Sequence, residues 1–423
     1  MRIAVIGGGI GGLSCAWALS RRHRVTLFEA RDSLGMDAFS IDVPRGDGVA
    51  RVDVPMRVFF PEGYPRLTAL YAAAGIETDT LDYSASFSWL GGERIFRYRN
   101  HRIAGRSVPF LPLADLARPA RLRRALEVAR FLRVVTRERR GRGELDALTV
   151  REYLDAAGLS RRFQDEFVLP AYAGVCTCSY RSLCDYPASV LLSFVGGGLA
   201  SATMRRARGG ARDVVARLSA PVADVRVASP VRAIAVDDAG VRVSTDAAPD
   251  EPFDHAVLAT QASHAGPLLP PAAEAEREIL SRFRYERFGL VVHGDARLAP
   301  PGQGPSPPVN FILAPGSAAP MATIVLNGIH RALGPVPAVY ETWNPLLEPD
   351  PAQVHCRVSL DRPVVDRTSL RAIAELDALQ DQPDRRLWFC GSYAAFGVPL
   401  QETAAASALR VARRIGVTDL PGD

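Results

Sequence analysis

The chain has 423 residues, of which 48% are hydrophobic and 23% are charged, and its formal net charge is +5. This is the composition of an ordinary globular protein, with enough residues for two interleaved domains or one large α/β body. So small a charge indicates no nucleic-acid partner, and no apolar run reaches the ~18–20 residues of a membrane-spanning helix. The N-terminus reads as a strand rather than a signal peptide, so we expect a cytoplasmic location.

The chain contains no lysine, so all its Lys and Arg positions are arginines. This excludes a Schiff-base lysine, a pyridoxal-phosphate lysine and the lysine of a Walker loop. The six cysteines lack the spacing of a metal site, and Cys176 and Cys178 are too close together for the usual CxxC pattern. We therefore predict no metal.

The first thirty residues have the pattern of a dinucleotide-binding unit. An apolar strand at 2–6 is followed by the glycine segment 7–12, by helical periodicity over 13–20, and by a second apolar strand at 24–28 that ends at Glu29. A strand, a glycine turn, a helix, a strand and an acid in this order are typical of a βαβ nucleotide fold.

Each glycine of this unit has a physical role. Gly7 permits the tight turn, Gly9 lets the backbone approach a pyrophosphate, and Gly12 lets the helix pack close to the strand. Gly11 belongs to the same turn, at a helix N-terminus that offers free N–H groups to phosphates. The carboxylate of Glu29 is placed to accept both hydroxyls of an adenosine ribose.

Several further stretches, spread in order along most of the chain, carry a family resemblance. They are FEARDSLG from Phe28, VDVPMRVFFPEGYPRLTALYAAAGI from Val52, VLPAYAGV from Val168, FDHAVLAT from Phe253, FRYERFGLVVHGDARLAP from Phe283, and LWFCGSYAAFG from Leu387. With the N-terminal unit, they resemble the superfamily of flavin-dependent amine oxidases and phytoene desaturases. More narrowly, the chain is similar to bacterial predicted FAD-binding oxidoreductases associated with cyclopropane fatty acid synthases.

The resemblance implies an α/β protein, α+β overall, in which a Rossmann-like FAD-binding domain is interleaved with a substrate domain of antiparallel sheet plus helices. The FAD-binding domain is expected at 1–75, 206–270 and 371–423, and the substrate domain at 76–205 and 271–370. The expected cofactor-binding residues are Gly7, Gly9, Gly11, Gly12, Glu29, Ala30, Arg31, Gly35, Met36, Val231, Gly391, Ser392, Gln401 and Glu402.

Two departures from the family pattern fall where side chains would face the flavin. The family's Gly-Gly pair is replaced by Gly35-Met36, followed by Asp37, and its polar loop near the C-terminus reads GVPLQE over 397–402. A bulky Met36 could move or weaken the FAD. If Asp37 is partly buried, its pKa should be raised and it could act as a base. The alternative is a loop carboxylate paired with Arg31 or Arg57.

The segment after residue 76 loses the strand and helix alternation. A hairpin is predicted with its turn at Gly91-Gly92, and Thr149 with Glu152 predicts a helix-capping box. Residues 118–142 form an arginine-rich helical pattern with Leu122, Leu126, Ala129, Leu132 and Val135 on one face. This helix is either a solvated surface element or a contact for an anionic membrane or an acidic carrier protein.

The C-terminal half predicts two further groups of strands. Segments 225–227, 231–236 and 241–245 alternate with period two, and 253–260 reads as one buried strand. Antiparallel strands are expected at 288–293, 309–313, 321–327, 338–343 and 354–360. His293, in the first of these, is interpreted as a satisfied sheet histidine, and Tyr340 and Trp343 as core residues with an alternative role as cavity walls.

The last predicted strand, 387–389, runs into Gly391, and an alanine-rich helix follows over 403–415. The resemblance implies that the helix N-terminus points at flavin N1 and O2, where it would stabilise the negative charge of reduction. Glu402 at this N-terminus is either a proton carrier or a first-turn carboxylate. Asp37, Glu402 and Tyr393 are therefore the candidate catalytic residues.

Several chemistries remain open. The first is an FAD oxidoreductase acting on a small apolar substrate, free or carrier-tethered, such as an acyl chain, a polyene or a natural-product intermediate. The second is a non-redox flavoprotein isomerase or cyclase. The third is an amine oxidase without the usual lysine at N5, with Tyr393 and Phe396 as half of an aromatic cage. A non-enzymatic binding module is the fourth. The sequence shows no second GxGxxG unit for NAD(P)H.

Overall fold

The computed structural model describes residues 1–46, 48–92, 94–103, 106–112, 118–196, 203–300, 306–335 and 337–422. Its strands are β1 (Arg2–Ile6), β2 (Arg24–Phe28), β3 (Ile41–Arg45), β4 (Gly48–Val52), β5 (Thr78–Thr80), β6 (Ala85–Trp89), β7 (Arg94–Ile103), β8 (Arg106–Phe110), β9 (Arg205–Ala207), β10 (Asp224–Arg226), β11 (Val231–Asp237), β12 (Gly240–Thr245), β13 (Glu251–Phe253), β14 (His255–Leu258), β15 (Arg284–His293), β16 (Val309–Leu313), β17 (Met321–Val325), β18 (Tyr340–Trp343), β19 (Val354–Val364) and β20 (Leu387–Phe389).

The helices lie between these strands in several groups. They are α1 (Ile10–Leu19), α2 (Pro65–Ala73), α3 (Pro119–Thr136), α4 (Arg142–Asp146), α5 (Val150–Ala156), α6 (Arg161–Phe163), α7 (Leu169–Cys176), α8 (Tyr180–Asp185), α9 (Ala188–Gly196), α10 (Gly210–Ser219), α11 (Ala262–Ala265), α12 (Glu274–Ser281), α13 (Arg367–Gln380) and α14 (Gln401–Arg414). A π-helical segment, Gln164–Val168, joins α6 to α7, and short 3-10 turns occur at Gly266–Leu268, Ala296–Leu298, Leu326–Gly328, Arg331–Leu333 and Pro351–Gln353.

A parallel sheet carries the N-terminal unit. Its five strands are ordered β10-β2-β1-β14-β20, with β1 paired to β2 from Arg2 opposite Arg24 to Ile6 opposite Phe28. Helices α1, α2, α10 and α14 cover one face, and the three-stranded sheet β11-β12-β13 with α12 and α13 covers the other. Strands buried on both faces read as continuous apolar runs, which is why the sequence pattern identified them. The predicted Rossmann-like unit is confirmed.

A second, larger sheet has eight strands in the order β19-β15-β18-β17-β16-β6-β7-β8. The five strands predicted between residues 288 and 360 are all present, and the predicted hairpin at Gly91-Gly92 supplies β6 and β7. The strands expected between 288 and 360 pair with one another in antiparallel fashion, as predicted, and the sheet as a whole is mixed because β6 pairs with β16 in parallel. Strand β6 lies more than 200 residues before β16 in the sequence, and local alternation does not encode such long-range pairing.

Two strand predictions of the second half also need correction. Strand β10 does not extend the β11-β12 hairpin, because it pairs in parallel with β2 and the Arg226 carbonyl accepts the N–H of Glu29 at 2.8 Å. The segment 253–260 is not one strand. The strand is interrupted after Phe253. The first part, β13, pairs with β12, and the second part, β14, belongs to the parallel sheet.

Helix α3 is shorter than the predicted 118–142, and it exposes two leucines at the N-terminal end of the predicted apolar face. Leu122 and Leu126 are 42% and 64% exposed, whereas Arg124 is buried and pairs with Glu127 at 3.0 Å and with Glu166. The helix packs through Phe131, the paired Arg124 and the C-terminal part of the predicted face, where Val135 is buried and Leu132 contacts the core. The capping box is confirmed at the start of α5, where the Thr149 hydroxyl accepts the N–H of Glu152.

The layers place a cavity between the two large sheets. Helices α3 to α9 pack on one face of the mixed sheet, and the β3-β4 hairpin packs on the other. Between the carboxyl ends of the parallel strands and the mixed sheet lies a cavity lined by both. Within the described part of the chain, no helix has the length and apolar character to cross a bilayer.

Candidate functional site

The glycine turn after β1 has a conformation that side chains would block at two positions. Gly7 has φ +107°, and a Cβ at Gly12 would lie 1.8 Å from the Gly7 carbonyl oxygen. Gly9 is different, since a Cβ there would meet no atom within 4 Å and would point into open space at the edge of the cavity. The turn thus presents bare backbone and the first N–H groups of α1 to the cavity, which is the arrangement that binds a pyrophosphate.

The turn lies close to the loop after β20. A Cβ at Gly11 would approach the Cα of Gly391 to 3.3 Å, and the N–H of Gly391 donates to Ser407 Oγ at 3.0 Å. Ser392 follows and lines the cavity with Gly9 and Gly11. The structure therefore brings together glycines and a serine that the sequence placed at opposite ends of the chain.

Glu29 is buried at the end of β2, next to the turn. Its Oε2 accepts the N–H of Gly8 at 2.7 Å and its Oε1 accepts the N–H of Arg31 at 2.9 Å. Each carboxylate oxygen has a second lone pair, so both retain capacity to accept a hydroxyl hydrogen. The carboxylate is thus held in place by backbone donors while it remains an acceptor for a ribose.

The neighbouring residues assigned to the adenosine end lie at the same edge of the sheet. Ala30 is exposed, and Arg31 stacks its guanidinium on the Phe39 ring at 4.3 Å. Val231 is half-buried at the start of β11. Their contacts with a nucleotide stay predictions.

Gly35 and Met36 follow at the other side of the turn. The N–H of Gly35 donates to the Gly8 carbonyl at 3.0 Å, and a Cβ at Gly35 would lie 3.1 Å from Gly9. Met36 is only 4% exposed, because it packs into the core beneath α1 and α2 and leaves one edge on the cavity. The core therefore accommodates most of the side chain that the sequence placed against the cofactor.

Asp37 is held by arginines other than the two suggested by the sequence. It pairs with Arg51 at 2.9 Å and with Arg212 at 3.6 Å, so the suggested pairing with Arg31 or Arg57 is wrong. The β3-β4 hairpin, which the sequence pattern did not predict, brings Arg51 to this loop. Asp37 lies outside the lining of the cavity, and its role as a base stays a prediction.

The N-terminus of α14 reaches the cavity through Gln401. The adjacent Glu402 turns away and caps α2, accepting the N–H of Arg66 at 3.0 Å and the N–H of Leu67 at 2.9 Å. Burial raises the pKa of this carboxyl group, although the two backbone donors oppose the shift. The sequence suggested that Glu402 is either a proton carrier or a first-turn carboxylate of its own helix. Neither suggestion anticipated its contact with the start of α2.

Tyr393 lines the cavity, with its ring 4.8 Å from that of Phe283. Its buried hydroxyl has no hydrogen-bond partner among the described residues, and burial raises its pKa well above the usual value. The phenol is therefore neutral and can donate a hydrogen bond. Phe396 is covered by the guanidinium of Arg142 at 3.6 Å and lies outside the cavity lining, so the suggested half-cage is wrong.

The cavity has a volume of about 420 Å³ and runs from the glycine turn to the mixed sheet. Its walls are largely apolar, and they include Met56, Phe60, Phe194, Phe311, Ile324 and Trp343. Trp343 thus lines the cavity, whereas Tyr340 lies on the other side of β18 with its ring 5.5 Å from that of His293. The alternation of side chains along a strand separates the two aromatic residues.

Two arginines in the cavity lining are the main residues that sequence reasoning missed. Arg57 follows β4, and Arg362 lies on β19. Burial lowers the pKa of both guanidinium groups. Arg57 stands in the apolar stretch VPMRVFF, and an arginine there was a signal of a buried charge.

Two buried residues of the mixed sheet complete the electrostatics. Glu341 accepts the N–H of Met56 at 2.9 Å and the indole N–H of Trp343 at 3.2 Å, and burial raises its pKa to about 8. His293 bonds to the Thr342 hydroxyl at 2.8 Å and accepts the N–H of Asp295 at 3.1 Å. Burial lowers the pKa of His293 to about 4, which confirms the interpretation of a satisfied sheet histidine.

The geometry fits FAD. Gly9 leaves open a cradle that a Cβ would fill, the N-terminus of α1 faces it, and Glu29 is a buried acceptor at the end of β2. The cavity continues past Ser392 and Gln401 to the apolar wall, so the backbone cradle and the apolar wall face one continuous space.

Solved structures with this fold cover nearly the whole chain at low sequence identity. A fatty acid isomerase from P. acnes that produces CLA is 17% identical, with a TM-score of 0.68 and coverage of 97% of this chain and 98% of that one. Putrescine oxidase is 14% identical, with a TM-score of 0.68 and coverage of 98% and 99%. Cyclohexylamine oxidase from Brevibacterium oxydans is 15% identical, with a TM-score of 0.61 and coverage of 98% and 99%.

Comparison with curated protein sequences gives no match. Residues 10–286 match the family of flavin containing amine oxidoreductases, which is more than half of the chain and includes Gly11, Gly12, Glu29 and Arg57. The chain therefore belongs to the flavin-containing amine oxidoreductase family and is an FAD-dependent oxidoreductase.

Proposed function

We propose that the enzyme transfers hydride between flavin N5 and an apolar substrate, such as an acyl chain, a polyene or a natural-product intermediate. FAD, when bound, supplies the two-electron chemistry. The observation that carries this proposal is the continuity of the cavity, which joins the glycine turn to an apolar wall formed by the mixed sheet and the segment 56–60.

The side chains around this cavity support such a reaction in three ways. The apolar wall excludes water and orients a hydrocarbon by contact. The N-terminus of α14, beside Gln401, stabilises negative charge next to it. The neutral hydroxyl of Tyr393 is a buried donor without a described partner.

In the oxidative direction, the substrate loses a hydride and a proton, and a carbon–carbon double bond forms between the two carbons. The two electrons and two protons finally pass to an external acceptor such as molecular oxygen, which gives hydrogen peroxide. We propose an external acceptor because the sequence has no second GxGxxG unit for NAD(P)H.

The charges of the cavity argue against an amine substrate. Arg57 and Arg362 line it, and their positive charge would repel a protonated amine. The chain has no lysine to hold a water at flavin N5, and Phe396 lies under Arg142. The family name therefore does not by itself identify an amine as the substrate.

A second candidate is a non-redox isomerase or cyclase. It is favoured by the replacement of the family's second glycine by Met36, and a solved structure with the same fold is described as a fatty acid isomerase. The two candidates differ in electron balance, since an isomerase moves a double bond without consuming an acceptor.

The test is a substrate screen with purified, FAD-loaded enzyme. Under anaerobic conditions, the visible flavin absorption is followed after adding fatty acids or polyenes, and oxygen uptake is then measured in air. Bleaching with a matching substrate, followed by oxygen uptake, is the expected result. A shifted double bond without oxygen uptake would favour the isomerase instead. A protein that remains colourless after FAD addition would contradict both and point to a binding module.

A further inference from the structure

The strongest unexplained feature of the cavity is a pair of buried arginines. Arg57 and Arg362 enter from different elements, the loop after β4 and strand β19, and both line the same space. The pKa of Arg362 is lowered chiefly by burial, and the positive charge of Arg57 lowers it further. Two like charges placed together in an apolar cavity destabilise the protein unless an anion compensates them.

The described protein groups leave most of their donors unfilled. Arg57 Nη1 donates to the Pro55 carbonyl at 3.1 Å, and Arg362 Nη2 makes a long contact of 3.5 Å with the Pro399 carbonyl. The Nε of Arg362 is buried and has no partner among the described residues. Since a guanidinium carries five N–H donors, these contacts satisfy a minority of them.

The nearby carboxylates are already engaged with other groups. Asp361 also lines the cavity but pairs with Arg287 at 2.7 Å. Asp53 accepts the N–H of Ala211 at 2.9 Å, and its negative charge offsets part of the lowering of the pKa of Arg57 without forming an ion pair with it. Glu341 is bonded to Met56 and Trp343, and its raised pKa keeps it largely neutral at pH 7. Across the described residues, no carboxylate forms an ion pair within 4.0 Å with either cavity arginine.

The pyrophosphate cradle does not need these two residues. It is built from backbone at Gly9, Gly11 and Gly391 and from the N-terminus of α1. Arg57 and Arg362 line the same cavity as the apolar residues Met56, Phe60 and Trp343, and Arg57 also lies beside Met36 and Gln401, which are expected near the cofactor.

From this arrangement we infer that Arg57 and Arg362 bind the carboxylate of the substrate, and that the substrate is a monocarboxylic acid with an apolar chain. A planar carboxylate offers two oxygens, which match the fork of N–H donors on a guanidinium. The hydrocarbon chain would lie along the apolar wall. This inference rests on the proposed function, because it names the substrate class of the same cavity.

The test measures binding of dodecanoate to the FAD-loaded enzyme by titration calorimetry. We expect dodecanoate to bind at least tenfold more tightly than dodecanol, which has the same chain without the charge. Arg57→Met and Arg362→Met should each weaken dodecanoate binding at least tenfold and leave dodecanol binding unchanged. Arg357→Met is the matched control, because Arg357 lies on β19 as well but is 45% exposed and pairs with Glu348, and its dodecanoate affinity should equal that of the wild type.

Several outcomes would overturn the inference. If the wild type binds dodecanoate and dodecanol with equal affinity, the inference is overturned, and this result does not depend on whether the variants fold. Loss of FAD from folded Arg57→Met and Arg362→Met would mean that the arginines hold the cofactor. Tight arginine-dependent binding of dodecyl phosphate without binding of dodecanoate would identify a phosphate site instead.

The binding measurement and the proposed reaction can fail separately. Arginine-dependent binding of dodecanoate, with no bleaching or oxygen uptake for any acid, would support the carboxylate site and contradict the hydride transfer. Oxidation of a neutral polyene, with no dodecanoate binding, would support the hydride transfer and contradict the carboxylate site.

Discussion

The buried carboxyl group of Glu341 accepts the backbone N–H of Met56 at 2.9 Å. This bond ties strand β18 to the segment that presents the next residue, Arg57, to the cavity. The bond joins the mixed sheet to the segment that follows β4, and it therefore holds Met56 and Arg57 in place, although Glu341 itself does not line the cavity. Glu341 is therefore a positioning residue.

The raised pKa of Glu341 predicts a pH dependence of stability. Its pKa rises from an ordinary 4.5 to about 8 in the folded protein, so the folded state holds a proton that the unfolded state releases between these values. The contribution of Glu341 to stability is fully present below pH 4.5 and is lost as pH rises to about 8. Glu341→Gln should remove this contribution. Between pH 5 and pH 8, the melting temperature of the variant should therefore fall by a few degrees less than that of the wild type. Thermal unfolding in a pH series measures the difference.

Glu348→Gln, at a position 74% exposed, should keep the slope of the wild type, and an unchanged slope in Glu341→Gln would contradict the assignment.

Gly9→Ala should separate cofactor binding from folding. The residue has φ −69° and ψ 178°, which alanine adopts without strain, and its Cβ would meet no protein atom within 4 Å. The added methyl group would occupy the cradle, so FAD affinity should fall at least tenfold while the stability of the apoprotein changes by less than about 0.5 kcal/mol. Fluorescence titration of the apoprotein with FAD measures the affinity.

Gly143→Ala, also without atoms near its Cβ but distant from the cavity, should bind FAD as the wild type does. Undiminished affinity in Gly9→Ala would mean that the pyrophosphate lies elsewhere.

Glu402→Gln should affect stability through α2. Both carboxylate oxygens accept backbone N–H groups, from Arg66 and Leu67, and glutamine retains only one acceptor oxygen. A buried N–H left without its acceptor costs about 1–3 kcal/mol, so the free energy of unfolding should fall by roughly that amount. Denaturant unfolding measures it, with Glu278→Gln on the surface of α12 as the control. Unchanged stability together with a large loss of turnover would instead support the proton-carrier hypothesis.

Asp37→Asn tests the predicted base. Because Asp37 pairs with Arg51 and lies outside the cavity lining, we expect turnover within about twofold of the wild type and a loss of ~1 kcal/mol or less in stability. A double-mutant cycle with Arg51→Gln should give a coupling of about 0.5–1 kcal/mol between the two side chains. A drop of a hundredfold or more in turnover, with the fold and FAD content intact, would support the predicted role of Asp37 as a base.

The exposed leucines of α3 predict peripheral binding to anionic membranes. Leu122 and Leu126 lie outward on a helix rich in arginine, which is the pattern of an interfacial helix. Leu126→Ser should weaken sedimentation with phosphatidylglycerol vesicles severalfold, and binding to phosphatidylcholine vesicles should be weak for every variant. Leu347→Ser, at a residue 38% exposed elsewhere, is the control. If the wild type does not sediment with anionic vesicles, α3 is simply a solvated surface helix.

The cofactor half of the protein was predictable because its constraints are local. Between Arg2 and Glu29, the turn requires glycine at Gly7 and Gly12 for steric reasons, and the two strands are apolar because both faces of the sheet are covered. These requirements act over a few residues and leave a readable pattern. The proposed division into two interleaved domains stays a prediction.

The chemistry of the cavity depended on contacts between distant segments. No spacing in the sequence pairs Asp37 with Arg51, turns Glu402 toward the start of α2, or brings Arg57 beside Arg362. The partner of a charged side chain is set by which segments the fold packs together, and burial then decides its pKa. The sequence by itself determined the nucleotide fold and the cofactor, because those depend on backbone conformation, whereas only the tertiary structure decided which charges face the substrate.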